Sequence, residues 1–90
     1  MPYIREREWL DRNLAPLITA MTDDPNVSAG EVNYAITRIV AAWHPDGVKN
    51  MSYEALNAKL GVLEAVKLEL YRRVVAPYED TKCKENGDVY

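Results

Sequence analysis

The sequence has very few of the side chains on which several common protein classes depend. Among its 90 residues there is one cysteine, Cys83, and one histidine, His44. A disulfide framework, or a metal site built from cysteines and histidines, needs several such side chains, so neither can form within one chain. This composition favours a reducing compartment, and we expect the protein to be cytoplasmic.

Long hydrophobic runs are also missing. A membrane-spanning helix needs about 20 apolar residues in succession, and no stretch of the sequence approaches that length. Residues 1–10 are rich in charge and contain no apolar segment of the kind found in a secretory signal. We therefore expect a soluble protein that has no membrane partner and remains in the compartment where it is made.

The chain has no excess of positive charge, its formal net charge being −3. Proteins that bind nucleic acids nonspecifically need a basic surface, so a nucleic-acid partner is not expected. Apolar residues make up 48% of the chain and charged residues 28%, which is typical of a globular protein. We expect one helical domain over residues 1–90. Because a core this small gives a modest margin of stability, we also expect a homo-oligomer.

Helical periodicity dominates the first two segments of the chain. Apolar residues at helical spacing predict a helix over about 5–21. Pro16 lies inside it and predicts a break near 13–16, with a single kinked helix as the alternative. A second helix is predicted over 28–43. Ser28 and Glu31 form a capping box at its start, and the proline after His44 ends it.

A third helix is predicted over 52–76, with Ser52 as its N-cap. Its apolar residues occupy more than one side, so other elements pack around it or a partner covers its second side. Gly61 predicts a possible break, or a point at which another backbone comes close. Pro77 is expected to end or bend this helix, and a polar C-terminal tail follows. The fold class is therefore all-α, a small bundle of three to five helices.

The sequence offers only weak candidates for a catalytic site. Cys83 lies in a charged segment, and its only possible base is His44, which no spacing places beside it. A magnesium-dependent nucleotide hydrolase is one alternative, using Glu64 and Glu69, but carboxylates five positions apart lie on different sides of a helix. We expect no enzymatic activity, no catalytic residue, no metal site and no cofactor.

Polar and aromatic side chains give a better binding candidate. The sequence has six tyrosines and no phenylalanine. The guanidinium group of arginine binds phosphate through two hydrogen bonds, and aromatic rings stack on bases. A cleft lined by arginine and tyrosine side chains would therefore suit a nucleotide or another anionic ligand. The alternative is a set of ordinary surface ion pairs with tyrosines at the edge of the core. The candidate ligand-binding residues are Tyr34, Arg38, Asn57, Glu64, Lys67, Tyr71 and Arg72.

A small DNA-binding regulator is the third possibility. It would require Arg38, Arg72 and Arg73 on one exposed face, because phosphate contacts depend on clustered positive charge.

Several segments resemble a family of small uncharacterised proteins encoded by phages and prophages. The similarity is carried by residues 67–80, which end in VVAPYED, by 85–90, which read ENGDVY, and by 1–4 and 30–38. It covers most of the chain. The sequence departs from the family pattern in a longer loop at 43–51 and at Cys83.

The resemblance implies a biological setting but no reaction, so no catalytic residue is carried over. It implies a phage protein in the host cytoplasm. Our leading hypothesis is a non-enzymatic, oligomeric protein that binds a host or defence component, either a host protein or a small nucleotide. It also implies that the C-terminal tail is docked on a neighbouring surface. In that hypothesis Asn86 and Gly87 make the turn, and Val89 and Tyr90 are the anchors.

Overall fold

A computed structural model describes residues 2–45, 47 and 51–90. Over these ranges the regular structure is helical and includes no strand, which confirms the all-α fold class. Three uninterrupted helical stretches are present, in agreement with the predicted three to five helices. They are α1 (Glu8–Thr22), α2 (Ala29–Ala42), and a continuous stretch made of α3 (Tyr53–Leu70), a π-turn (Tyr71–Val75) and α4 (Ala76–Asn86).

The chain forms two compact units. One unit is Tyr3–Met51, which contains α1 and α2. The other is Ser52–Tyr90, which contains α3, the π-turn and α4, and Pro2 also belongs to it. Each unit is described by itself below, and the single domain expected from the sequence stays a prediction.

Helix α1 shows that the break predicted near 13–16 is wrong. The helix runs from Glu8 to Thr22 with Pro16 inside it, and it begins later than the predicted residue 5. Proline removes one amide donor and crowds the carbonyl four residues earlier, but it leaves the remaining donors of the helix in place. The Asn13 side-chain amide also donates to the Trp9 carbonyl at 2.7 Å. A single helix, the alternative read from the sequence, is what forms.

Helix α2 begins and ends where its capping residues indicate. The Ser28 hydroxyl accepts from the Glu31 amide at 3.1 Å and donates to the Glu31 carboxylate at 3.3 Å. At the other end Trp43 leaves the helical region with a ψ of 137°, immediately before His44 and Pro45. Both predicted boundaries of 28–43 are therefore confirmed, with Ser28 and Trp43 as the caps.

Helix α3 begins as predicted but does not break at Gly61. The Ser52 hydroxyl accepts from the Ala55 amide at 3.1 Å, which confirms its role as the N-cap. The helix then passes through Gly61 without interruption, so the possible break there is wrong. The cost of one glycine is about 1 kcal/mol relative to alanine, which is too small to end a helix that has good formers on both sides.

The prediction that the third helix ends near 76 is also wrong. The chain stays helical across Pro77 as far as Asn86. The π-turn just before the proline makes this possible. Here the Ala76 amide donates to the Tyr71 carbonyl, five residues earlier rather than four. A wider turn relieves the clash between a proline ring and the preceding carbonyls, so the helix need not end.

Side-chain burial is slight throughout the described residues. Ala55 is the one buried apolar side chain among them, with 7% of its surface exposed. Large apolar residues of both units are exposed, including Trp9 at 64% in α1 and Leu60 at 65% in α3. Exposed apolar side chains of this size are typical of surfaces that associate with another surface.

Candidate functional site

The first candidate feature is a tyrosine–arginine pair on α2. Tyr34 and Arg38 lie one helical turn apart, so their side chains meet on the same side of the helix. An Arg38 guanidinium nitrogen donates to the Tyr34 hydroxyl at 2.9 Å, and the guanidinium carbon lies 5.7 Å from the centre of the ring. The tyrosine thus holds the arginine in place by a hydrogen bond and a cation–π contact.

Among the described residues, no carboxylate is paired with Arg38. The ion pairs there include Lys67 with Glu64, Arg72 with Glu69, and Lys82 with Glu85. Tyr34 is 62% exposed, so both members of the pair on α2 are accessible from solvent. A guanidinium held beside an aromatic ring suits an anion attached to a planar group, such as a nucleotide.

Two of the basic candidates on α3 and the π-turn lie in ion pairs within their own unit. The Lys67 ammonium is 3.0 Å from the Glu64 carboxylate, and an Arg72 nitrogen is 2.7 Å from a Glu69 oxygen. Both pairs join residues three positions apart on the helix. Their positive charge is already balanced, so an anionic ligand would have to compete with a carboxylate for either side chain.

Tyr71 makes a contact that sequence reasoning missed. Its hydroxyl is hydrogen-bonded to the Glu79 carboxylate, and the negative charge of Glu79 raises the pKa of Tyr71 above its ordinary value of 10.0. The hydrogen bond, slight burial and the charge of Asp80 raise the pKa further. In a regular α-helix, residues eight positions apart are separated by about 80° around the helix axis. The π-turn inserts the extra rotation that aligns them, and Pro77 was its only signal in the sequence.

The structure therefore brings some of the predicted site residues together. Tyr34 contacts Arg38 in one unit, and Glu64 contacts Lys67 in the other. Asn57 is exposed on α3, seven positions before Glu64 and therefore close to the same side of the helix. Tyr71 and Arg72, in contrast, make their contacts with residues that were not predicted for the site, namely Glu79 and Glu69.

The residues considered for catalysis occupy separate positions in the described part of the chain. In the part of the chain that the structure describes, no group of three or more histidine, cysteine or acidic side chains is placed to hold a metal ion. Glu64 and Glu69, proposed for a magnesium site, instead make ion pairs with basic residues. Cys83 is exposed in α4 and forms no disulfide, and His44 is exposed just after α2.

The C-terminal tail turns at Gly87. This residue has a φ of 92°, and its amide donates to the Cys83 carbonyl at 2.9 Å, which closes the last turn of α4. The tail and the last turns of α4 line a shallow groove. The Val89 and Tyr90 side chains are exposed on this chain, at 89% and 113%. Docking of the tail on another surface stays a prediction.

Comparisons with known proteins give a family and no function. A family model described as a domain of unknown function, DUF6899, matches residues 1–89, so the chain belongs to that family. No curated protein and no solved structure matches the chain. Among the described residues, no helix has the length and apolar character required to cross a membrane.

Proposed function

We propose that this protein is a non-enzymatic, oligomeric binding protein of phage type that acts on a host or defence component in the cytoplasm. Two modes of action fit this proposal, contact with a host protein and capture of a small nucleotide. The observation that carries it is the exposure of large apolar side chains along every helix, with Ala55 as the one buried apolar residue in the described ranges. A chain with these surfaces functions through association.

The pair formed by Tyr34 and Arg38 favours an anionic ligand with a planar ring. Arg38 carries a charge that no described carboxylate pairs with, and Tyr34 offers an exposed aromatic face. Phosphate binds well to a guanidinium, and a base stacks on a tyrosine ring. The other predicted ligand residues, Asn57, Glu64, Lys67, Tyr71 and Arg72, lie in the other unit, and their contact with a ligand stays a prediction.

Native mass spectrometry tests both parts of the proposal. The full chain is measured alone and after exposure to a nucleotide-rich cell extract. We expect a discrete oligomer that carries an additional small mass. A bound mass that survives dialysis identifies the ligand, and the pure compound should then raise the melting temperature of the protein by mass action.

Arg38 is the residue whose replacement tests the ligand contact. In Arg38→Ala the ligand-induced rise in melting temperature should disappear. Arg38→Lys should retain only part of it, because lysine keeps the charge but not the planar fork. Arg12→Ala, which removes an exposed arginine from α1, is the matched control and should retain the full rise. If Arg38→Ala binds as well as the unmodified protein, Arg38 does not hold the ligand.

The rival functions have separate tests. A magnesium-dependent hydrolase should release phosphate or pyrophosphate from nucleotides, and Glu64→Gln should abolish the release. A DNA-binding regulator should retard a DNA fragment in a gel at low salt, and its affinity for the fragment should fall steeply as the salt concentration rises. Either result would replace the binding proposal, since neither activity is expected of a protein that only sequesters its partner.

The tail belongs to the same proposal, as an element that docks on a neighbouring subunit. Val89 and Tyr90 are largely exposed on their own chain and offer apolar area to another surface. Deleting Asp88–Tyr90 should therefore lower the melting temperature or weaken the oligomer. No change in either quantity would show that the tail plays no part in assembly.

A further inference from the structure

Helix α3 carries an exposed apolar row at heptad spacing. We call it the leucine stripe. Its positions alternate steps of four and three residues, the spacing at which side chains stay on one side of a helix that packs along another helix. The stripe consists of Leu56, Leu60, Leu63, Lys67 and Leu70.

All apolar members of the leucine stripe are exposed to solvent. Leu60 and Leu70 are 65% and 56% exposed. Leu56 and Leu63 are 40% and 39% exposed. The side of α3 that is least exposed is a different one, and it carries small residues, Ala55, Ala58 and Ala65. The leucine stripe is therefore a second apolar side of α3 that remains open in the described structure.

Lys67 interrupts the stripe near its middle, and this decides the kind of partner that fits. In a parallel pair of identical helices, equivalent positions face each other, so two Lys67 ammonium groups would meet in the seam. The repulsion between these two ammonium groups destabilises the parallel arrangement and so favours the antiparallel one. In an antiparallel pair of identical helices, Lys67 faces Leu63 and comes next to Glu64 of the second copy.

The stripe is self-complementary in the antiparallel sense. Leu60 of each copy then faces Leu70 of the other across a two-fold axis near position 65, and between these two contacts Leu63 faces Lys67. The acidic Glu64 is already 3.0 Å from Lys67 within one chain. Two copies would bring two such pairs together with opposite charges adjacent, which is the charge pattern that a two-fold contact requires.

We propose that a second copy of this chain packs antiparallel on the leucine stripe, with the Glu64 and Lys67 pairs of the two copies at the centre of the contact. This inference rests on the proposed function, because it locates the surface through which the proposed oligomer forms. The occupant is another molecule of the same protein, since Leu60 is matched by Leu70 and the Glu64 and Lys67 pairs of two copies are complementary in charge.

Substitution within and outside the stripe tests the surface. Leu70→Asp places a carboxylate in the seam, and we expect the dimer dissociation constant measured by sedimentation to rise by at least about 100-fold. Leu68→Asp is the matched control, since Leu68 lies two positions away, off the stripe, and is 58% exposed. It should change the constant by less than about threefold, the effect of an ordinary surface substitution. Circular dichroism checks that both variants keep their helix.

Cysteine cross-linking tests the orientation independently of affinity. In a Cys83→Ser background, Leu60→Cys and Leu70→Cys are prepared as separate proteins and oxidised alone or mixed. The antiparallel arrangement predicts disulfide-linked dimers in the mixture and little product from either protein alone. Efficient cross-linking of each protein with itself would instead show a parallel contact and overturn the proposal.

The outcomes separate this surface from the broader proposal. An oligomer that survives Leu70→Asp, or that Leu68→Asp disrupts equally, would show that the leucine stripe is not the contact while the protein remains oligomeric. A chain that is monomeric at all concentrations would overturn the surface and the proposed oligomer together. Retention of a small ligand by such a monomer would leave the binding function standing.

Discussion

At the scale of single residues, Gly61 is a glycine that the backbone does not require. It lies inside α3 with ordinary helical geometry, and a Cβ atom built on it meets no other atom within 4 Å. Gly61→Ala should therefore raise the free energy of unfolding by about 0.5–1 kcal/mol, because alanine loses less backbone entropy in a helix. Chemical denaturation measures the change.

Gly87 is the control for this substitution. Its φ of 92° lies in the region that favours glycine, so Gly87→Ala should give no gain in stability. Gly61 also lies off the leucine stripe, so Gly61→Ala should leave the dimer dissociation constant unchanged. A loss of association would instead show that another molecule's backbone approaches α3 at Gly61.

The contact between Tyr71 and Glu79 predicts a dependence on alkaline pH. Glu79 raises the pKa of Tyr71 above its ordinary 10.0, so the protonated phenol is favoured in the folded protein. The stability that this contact contributes is fully present below pH 10.0 and is lost as the pH rises through the raised pKa. We expect Tyr71 to ionise later in an alkaline titration than an exposed tyrosine without such a partner.

Ultraviolet titration of tyrosinate checks this expectation, with Tyr71→Phe identifying the signal of Tyr71 by difference. Glu79→Gln removes the charge that is the largest cause of the shift, so the pKa of Tyr71 should fall toward its ordinary value. Glu85→Gln changes a carboxylate elsewhere on α4 and should have no effect. An unchanged titration in Glu79→Gln would show that the contact is absent in solution.

At the scale of the helical elements, the π-turn and Pro77 depend on each other. The wider turn accommodates the proline and also rotates α4 so that Glu79 faces Tyr71. Pro77→Ala restores the missing amide donor and removes the steric cause of the wider turn. The stretch should then relax toward regular α-helix, which moves Glu79 away from Tyr71.

Two measurements follow from Pro77→Ala. The pKa of Tyr71 should fall, as in Glu79→Gln, and the pattern of amide protection over 71–77 should shift to bonds between residues four apart. Pro16→Ala is a suitable control, because α1 passes through Pro16 without a π-turn. If the pKa of Tyr71 is the same with and without Pro77, then something other than the proline maintains the π-turn.

At the scale of the whole molecule, the exposed apolar surface predicts that stability depends on protein concentration. An oligomer that folds and associates together gains stability by mass action, so its melting temperature should rise by roughly 3–5 °C for each tenfold increase in concentration. Calorimetry over a wide concentration range measures this. Leu70→Asp should weaken or abolish the dependence, whereas Leu68→Asp should retain it.

The sequence by itself determined the helical class and the helix ends that side chains cap. Ser28 and Ser52 satisfy amides in the first turn of their own helices, and the proline after His44 restricts the residue next to it. These interactions reach no farther than a few positions along the chain, so the local sequence contains all the information needed to predict them.

The three-dimensional structure alone decided how the chain accommodates Pro16, Gly61 and Pro77. Each of these residues disfavours a helix locally, yet the helix continues through it. The hydrogen bonds of the turns on both sides offset the free-energy cost of the single unfavourable residue. The contact of Tyr71 with Glu79 was equally beyond the sequence, since it depends on a rotation that only the π-turn supplies. At these three positions the hydrogen bonds of the neighbouring turns outweigh the local preference against a helix.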